Sequence, residues 1–221
     1  MTTYAVETSA GSATEFHRRD IGPEPAPAVW VFDVAAPALV LGSKQRDAAI
    51  ADEPACAAAG VEVVRRRSGG GVVLLEPGAV VWFDVVVPTA ALHADGVGDD
   101  VAASMMWLGW HVASALADLG VAAEVHRDEM SCSAWCPLIC FAGVGPGEVL
   151  VEGDKLVGIS QRRSRGGARF QCAVHTRWSP GALVELLLDD VPAAELPPVA
   201  TLAPGVAAAL PDAVAAALAA S

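Results

Sequence analysis

Valine, leucine and isoleucine recur along this chain in short runs rather than long stripes, and runs of that length bounded by turn residues predict strands. "AVWVFDV" from residue 28 and "ALVLGS" from residue 38 read as two strands around a turn, the second ending at Gly42 and Ser43. The alanine-rich "RDAAIADEPACAAAG" predicts a helix closing on Gly60, with Pro54 limiting how far it runs as regular helix. "VEVVRRR", the glycine turn, "VVLLE", the Pro77-Gly78 turn and "AVVWFDVVVP" together read as a strand meander. Valine runs this dense imply strands buried on both faces.

Helical spacing is clearest over residues 99–119, where Val101, Met105, Leu108, Val112, Leu116 and Leu119 follow a capping Asp99 or Asp100 and precede Gly120. His111 on that helix reads as a partly buried core residue. Residues 127–147 show no periodicity and are rich in Cys, Gly and Pro, which predicts a long loop, and such loops are usually functional. "EVLVEGDKLVGISQRRS" alternates as two strands about Gly153-Asp154, with "RGGARFQCAVH" as a third. Ser179 followed by Pro180 starts a helix over "GALVELLLDD". Past a Pro-rich break, "GVAAALPDAVAAALAAS" is a helix or a frayed tail. Strands outnumber helices and do not alternate with them, so the expected class is α+β, with a mixed, mainly antiparallel sheet packed with helices. We expect one catalytic-sized domain over residues 1–190, a Pro/Ala-rich tail over 191–221 and no accessory C-terminal domain.

Composition narrows the partners. Hydrophobic residues are 53% of the 221 and charged residues 18%, but no apolar run reaches membrane-span length, and the N-terminus lacks a basic head followed by an apolar segment. A soluble, cytoplasmic protein is expected, with no membrane partner. The formal charge of −12 opposes nucleic-acid binding. Seven of the fourteen basic residues fall in Arg65–Arg67 and in Arg162, Arg163, Arg165 and Arg169, a concentration that suits a small anionic ligand. An odd count of five cysteines argues against a disulfide framework. Cys132, Cys136 and Cys140 are evenly spaced, but Pro137 opposes a single helix and the spacing fits no common zinc pattern, so no metal is expected.

Two segments carry candidate chemistry. A glycine triplet after a strand lets backbone N–H groups approach an anion, although "SGGG" lacks both the P-loop ending and the dinucleotide spacing. Lys155 follows a tight turn at the head of an apolar strand, and Gly158 leaves room beside it. Such a lysine either neutralises a carboxylate, phosphate or developing oxyanion, or is a turn lysine in water.

Taken together and in order, "LVLGSKQ", "RRRSGGGVV" and "VEGDKLVGISQRR" resemble the signature segments of the lipoate-protein ligase A and octanoyltransferase family, relatives of the biotin-protein ligases, over roughly residues 28–190. The resemblance implies a biotin/lipoate-protein-ligase-like catalytic domain. In it Arg66, Arg67, Ser68, Gly69, Gly70 and Gly71 line the pocket for an acyl group and its activating group, and the valine strands form a slot for an eight-carbon chain. It also implies Lys155 as the catalytic lysine, with Gly158 and Ser160 in the same wall. "ICFAGVGPGEVLVEGDK" resembles the cysteine segment of the transferase branch, and Cys140 beside a lysine and an arginine cluster has the setting of a nucleophile, a buried inert cysteine being the alternative.

The implied activity is protein lipoylation, in which a lipoyl or octanoyl group is attached to a lysine of an apo lipoyl domain. That acceptor belongs to a 2-oxoacid dehydrogenase acyltransferase subunit or a glycine-cleavage H-type protein, with acyl carrier protein a candidate donor. Transfer through Cys140 is the leading mechanism, and ATP and Mg enter only in the alternative, ligation through an acyl-adenylate. Leu75-Glu76 replaces a His-Asp frequent in the family, Ala79 an Asn, and Cys172 lies near the place of a His. Those departures motivate a second class of reading, a non-catalytic lipoate-binding or sensor protein, and biotin attachment is a further variant within the fold.

Overall fold

The computed structural model describes residues 2–45 and 49–220. The chain opens with β1 (Ala5–Gly11), α1 (Ala13–Arg18), β2 (Ala28–Val34) and β3 (Ala38–Leu41). It continues through α2 (Glu53–Ala58), β4 (Glu62–Arg65), β5 (Val73–Leu75), β6 (Val80–Pro88), α3 (Thr89–Ala94) and α4 (Val101–Asp118). Then come β7 (Glu124–Val125), β8 (Ser131–Cys132), β9 (Gly143–Val144), β10 (Val149–Val151), β11 (Asp154–Arg163), β12 (Gly167–His175), α5 (Pro180–Val184) and α6 (Pro204–Ala219).

A seven-stranded sheet has the order β1-β2-β6-β12-β11-β10-β7, and a three-stranded sheet the order β4-β3-β5. The large sheet is antiparallel apart from β1 beside β2, and the small one mixes a parallel β3–β4 pair with an antiparallel β3–β5 pair. This is the expected mixed, mainly antiparallel α+β class.

Two-residue alternation along β6 explains its burial on both faces. Phe83, Val85 and Val87 join the core under α4 and α6, with Leu108, Leu116, Leu210 and Val214, while Trp82 and Val86 join a second core with Phe16, Phe32 and the small sheet. The alanine-rich C-terminal segment is therefore a helix with its Ala207 and Leu210 fully buried, not a frayed tail. Caps fix the helix starts: Ser12 and Glu15 exchange side-chain and backbone bonds ahead of α1, and the Asp100 carboxylate accepts from the Ala102 and Ala103 amides ahead of α4. His111 sits half-buried against Trp107, as expected.

Four local expectations are corrected. The predicted meander does not form, because β4 and β5 lie on opposite edges of β3 and β6 belongs to the other sheet. The glycine turn is thus a crossover around β3 rather than a hairpin. The predicted 46–60 helix reduces to α2, which Asp52 caps and Pro54 helps start, since proline suits a first helical turn; residues 46–48 lie outside the described residues. The helix after Ser179 is one short turn-and-a-half, and Ser179 makes no side-chain cap bond. Finally, the 127–147 segment is not structureless. It contains the β8–β9 pair, a 3₁₀ turn at Cys140–Ala142 and one local Cys132–Cys136 disulfide, which the expectation of no disulfide framework did not foresee. The local hairpin brings Cys132 beside Gly143 and the two cysteines within bonding distance.

Candidate functional site

The first wall of the site is the arginine-glycine junction, and it folds back on itself. Arg66 is buried, and its guanidinium donates to Gly69 O at 2.8 and 3.1 Å, Gly71 O at 2.7 Å and Val40 O at 3.4 Å. Gly70 has φ +95°, a conformation favouring glycine, and its carbonyl abuts Gly42 so closely that a Cβ there would overlap it at 1.8 Å. The junction also pairs with the "LGSKQ" segment: Ser43 N donates to Ser68 O, and the Gln45 amide reaches Leu138 O at 3.0 Å.

The second wall is the segment that carries Cys140. Val72, leaving the glycine loop, donates to Leu138 O at 2.7 Å and accepts from Cys140 N at 3.0 Å, which joins the two walls by backbone. The Arg66 guanidinium and Cys140 Sγ flank Gly70, lying 2.8 and 3.6 Å from the position a Cβ would take there. A side chain at Gly71 would meet Cys140 N and Leu138 O at 2.6–2.7 Å, so a bare glycine is what allows this approach.

Behind that wall Lys155 is 3% exposed. Its ammonium pairs with Glu148 Oε2 at 2.7 Å and donates to Cys140 O at 3.1 Å and Gly143 O at 3.0 Å, which engages all three of its hydrogens. Burial alone would lower its pKa; Glu148 and Cys140 outweigh that and hold the ammonium above its ordinary value. Glu148 is fixed in turn by the Ile159 and Gly145 amides at 3.0 and 2.8 Å. The turn-lysine-in-water reading is thereby overturned. Gly158 leaves the expected room, its Cβ position lying 3.0 Å from Phe141 and 3.4 Å from Lys155 Cε.

Between the walls lies a narrow cleft of about 50 Å³, open at its mouth and lined mainly by apolar atoms, with Arg66, Trp82, Cys140, Phe141, Gly158 and Ser160 among its residues. A polar chain crosses one side: Ser160 Oγ donates to Ser68 Oγ at 3.0 Å, Ser68 Oγ to Gln171 Oε1 at 2.7 Å, and Gln171 Nε2 reaches His17 Nδ1 at 3.1 Å. Burial, then Arg169 and Arg66, push the His17 pKa down to about 3, so its ring is neutral. Cys172 also lines the cleft, where burial pushes its thiol well up, leaving it inert.

The structure thus gathers Arg66, Ser68, Gly70, Gly71, Cys140, Lys155, Gly158 and Ser160. Arg67 is not among them: it is exposed and faces Asp20 at 3.6 Å, because alternation along the chain turns it away from Arg66. Gly69 contributes its carbonyl to Arg66 and nothing crowds its Cβ position. The expected anion-holding arginines are spent elsewhere. Arg169 is buried on Asp84, Arg163 reaches Gly98 O and Asp100 O, and Arg162 lies 4.0 Å from Asp20. Sequence reasoning missed His17, Glu148 and Gln171. Nothing in their local pattern marks them, because each acquires its role only when a distant element packs against it.

The lipoyl protein ligase A/B catalytic domain family matches this chain over residues 13–201. The chain belongs to that family. It is accordingly an acyl-attaching enzyme by membership. Among solved structures, a lipoate-protein ligase A bound with ATP is 18% identical, covering 98% of this chain and 83% of its own, with a TM-score of 0.67. A bipartite lipoate protein ligase from Thermoplasma acidophilum, solved in a study of the ligase and its E2 lipoyl domain, is 16% identical, covering 99% and 84%, with a TM-score of 0.68. A T. acidophilum structure holding lipoic acid is 16% identical, covering 98% and 83%, with a TM-score of 0.63. At these identities the likeness shows the fold. No curated protein matches the chain in sequence. Among the described residues no helix is long and apolar enough to cross a membrane.

Proposed function

We propose that this protein attaches an octanoyl or lipoyl group to a lysine of a lipoyl domain, with Cys140 carrying the acyl group between donor and acceptor. One observation carries the reading: Cys140 lines the cleft beside the buried Arg66 guanidinium, a fixed positive charge near a nucleophile. In the first step Cys140 Sγ attacks the carbonyl of a donor thioester and the donor thiol leaves with the proton. In the second, the acceptor lysine amine attacks the cysteinyl thioester, forming an amide and restoring the thiol.

Lys155 serves the carbonyl oxygen in both steps by exchanging one backbone carbonyl, Cys140 O or Gly143 O, for the acyl oxygen, while Glu148 keeps it charged and in place. Gly70, Gly71, Gly158 and Ser160 shape the slot, and Ser68 braces it through Ser160. The catalytic domain spans residues 1–190, and α6 completes its core. The protein works in the cytoplasm.

A second reading has support in the relatives that hold ATP and lipoic acid: ligation through an acyl-adenylate, with ATP and Mg required and Cys140 incidental. Intact mass of an apo lipoyl domain separates them. With octanoyl-carrier protein as sole donor, a mass gain supports transfer; a gain only with ATP and lipoate supports ligation; no gain with either leaves the lipoate-binding protein.

A further inference from the structure

The proposed transfer makes no use of the Cys132–Cys136 disulfide, although only Pro137, Leu138 and Ile139 separate it from Cys140. Cys132 is exposed and lines an open groove with Ser131, Phe141, Gly143, Asp154 and Lys155, so the bond lies at the surface, whereas Cys56 and Cys172 are buried. In the cytoplasmic setting proposed above, a disulfide of this kind is commonly a transient exchange site rather than a permanent staple.

The loop that the disulfide closes holds the Cys140 turn from both sides. Ahead of the turn, Trp135 O accepts from Leu138 N at 3.0 Å and Ile139 N at 2.8 Å; behind it, the Ser133 amide and hydroxyl both donate to Ala142 O, at 3.2 and 2.7 Å. Cys136 Cβ lies 2.7 Å and Cys132 Sγ 3.7 Å from the position a Cβ would take on Gly143, the residue whose carbonyl accepts from Lys155. Val72 and Gln45 secure the approach to Cys140, but beyond the turn the segment leans on the β8–β9 hairpin, two residue pairs long, and a hairpin that short is marginal by itself. Opening the disulfide therefore loosens the flank that carries Gly143 O to Lys155.

We propose that Cys132–Cys136 is a thiol–disulfide exchange site for dithiols, and that its oxidised form is the one that holds the Cys140 turn in place for catalysis. The second half rests on the transfer reading. A dithiol's first thiolate attacks Cys132 Sγ, the S–S bond breaks, and Cys136 leaves as a thiolate that takes up a proton. The second thiolate then attacks the dithiol's own sulfur in the mixed disulfide and Cys132 leaves. The dithiol ends as a cyclic disulfide, and the protein gains two electrons and two protons as a pair of thiols. A monothiol is a poor substitute, because Cys136, packed beside Gly143, reverses the first step before a second monothiol arrives.

The test is alkylation of the folded protein mapped by peptide mass, run also on Cys140→Ala so that Cys140 takes no part. Brief treatment with dihydrolipoamide should leave Cys132 and Cys136 both alkylated, and glutathione at the same thiol concentration should label them about tenfold less or lower still. Amide hydrogen exchange over residues 133–144 should quicken about tenfold or more in the reduced protein and in the Cys132→Ser/Cys136→Ser double variant, with β11 and β12 unchanged as the mark of an intact fold. Octanoyl transfer to an apo lipoyl domain should fall about fivefold or more in the same two states. Cysteines that stay unlabelled until the protein unfolds, that label without a reductant, or that glutathione labels as fast as the dithiol overturn the exchange site. Amide exchange over 133–144 that ignores the redox state, or transfer that runs equally in both states, overturns the hold on the turn. Dithiol-dependent labelling and loosening with no transfer in either state would remove the transfer reading and leave the exchange site standing.

Discussion

The two walls of the cleft are held by opposite means. The glycine loop is fixed by a buried cation whose donors end on the loop's own carbonyls and on Val40 O of β3, so the Arg66 side of the site is a frame that gains nothing by moving. The Cys140 side is fixed by one buried ion pair and by two carbonyls on Lys155, one from the 3₁₀ turn and one from Gly143 just after it, bonds that in the proposed mechanism a substrate oxygen replaces one at a time. Arginine suits the first task because its planar fork satisfies several acceptors at once. Lysine suits the second because its point charge exchanges partners easily. On the proposed mechanism one wall supplies shape and a fixed charge, and the other supplies the reacting group and the mobile one.

Substitutions should break this contrast in a definite order. Cys140→Ala should lower octanoyl transfer by about 10³-fold or more while the loop wall stays intact, read as the rate of mass gain of a lipoyl domain. Glu148→Ala strands a buried ammonium and should cost about 3–5 kcal/mol of stability in urea unfolding; a loss near zero would mean that the pair does not hold Lys155. Gly71→Ala should cost about 2 kcal/mol, because its Cβ meets backbone of the other wall rather than a side chain that can yield.

Acid should weaken the fold by about 1.4 kcal/mol per pH unit for each buried histidine. His17 and His175 are pushed, chiefly by burial, to about 3 and about 4, against 6.5 when unfolded. Their contribution is complete above about pH 6.5 and is lost as pH falls toward 4 and then 3, since only the unfolded chain takes up protons in that window. A His175→Phe protein should show a flatter acid limb in unfolding midpoints against pH. Smallest of all, Gly69→Ala should stay within about 0.5 kcal/mol, since its Cβ position is open.

Much of this was legible in the chain because it is written locally. The β10–β11–β12 set, α4 with its Asp100 cap, and the double-sided burial of β6 all follow from alternation, capping and turn residues within one segment. The glycine turn was read as part of a meander because sequence order suggested neighbouring strands, whereas pairing put β3 between its two flanks. The Cys140 segment lacked periodicity because its order comes from the disulfide, from Val72 and from Gln45, none of which a window of a few residues contains. Glu148, His17 and Gln171 went unremarked for the same reason.

The most direct test is the intact mass of the protein itself after brief mixing with an octanoyl thioester and no acceptor. The account predicts one octanoyl group on the unaltered protein, released by hydroxylamine and absent from Cys140→Ala. An unmodified protein, together with ATP-dependent lipoyl attachment that persists in Cys140→Ala, would contradict it.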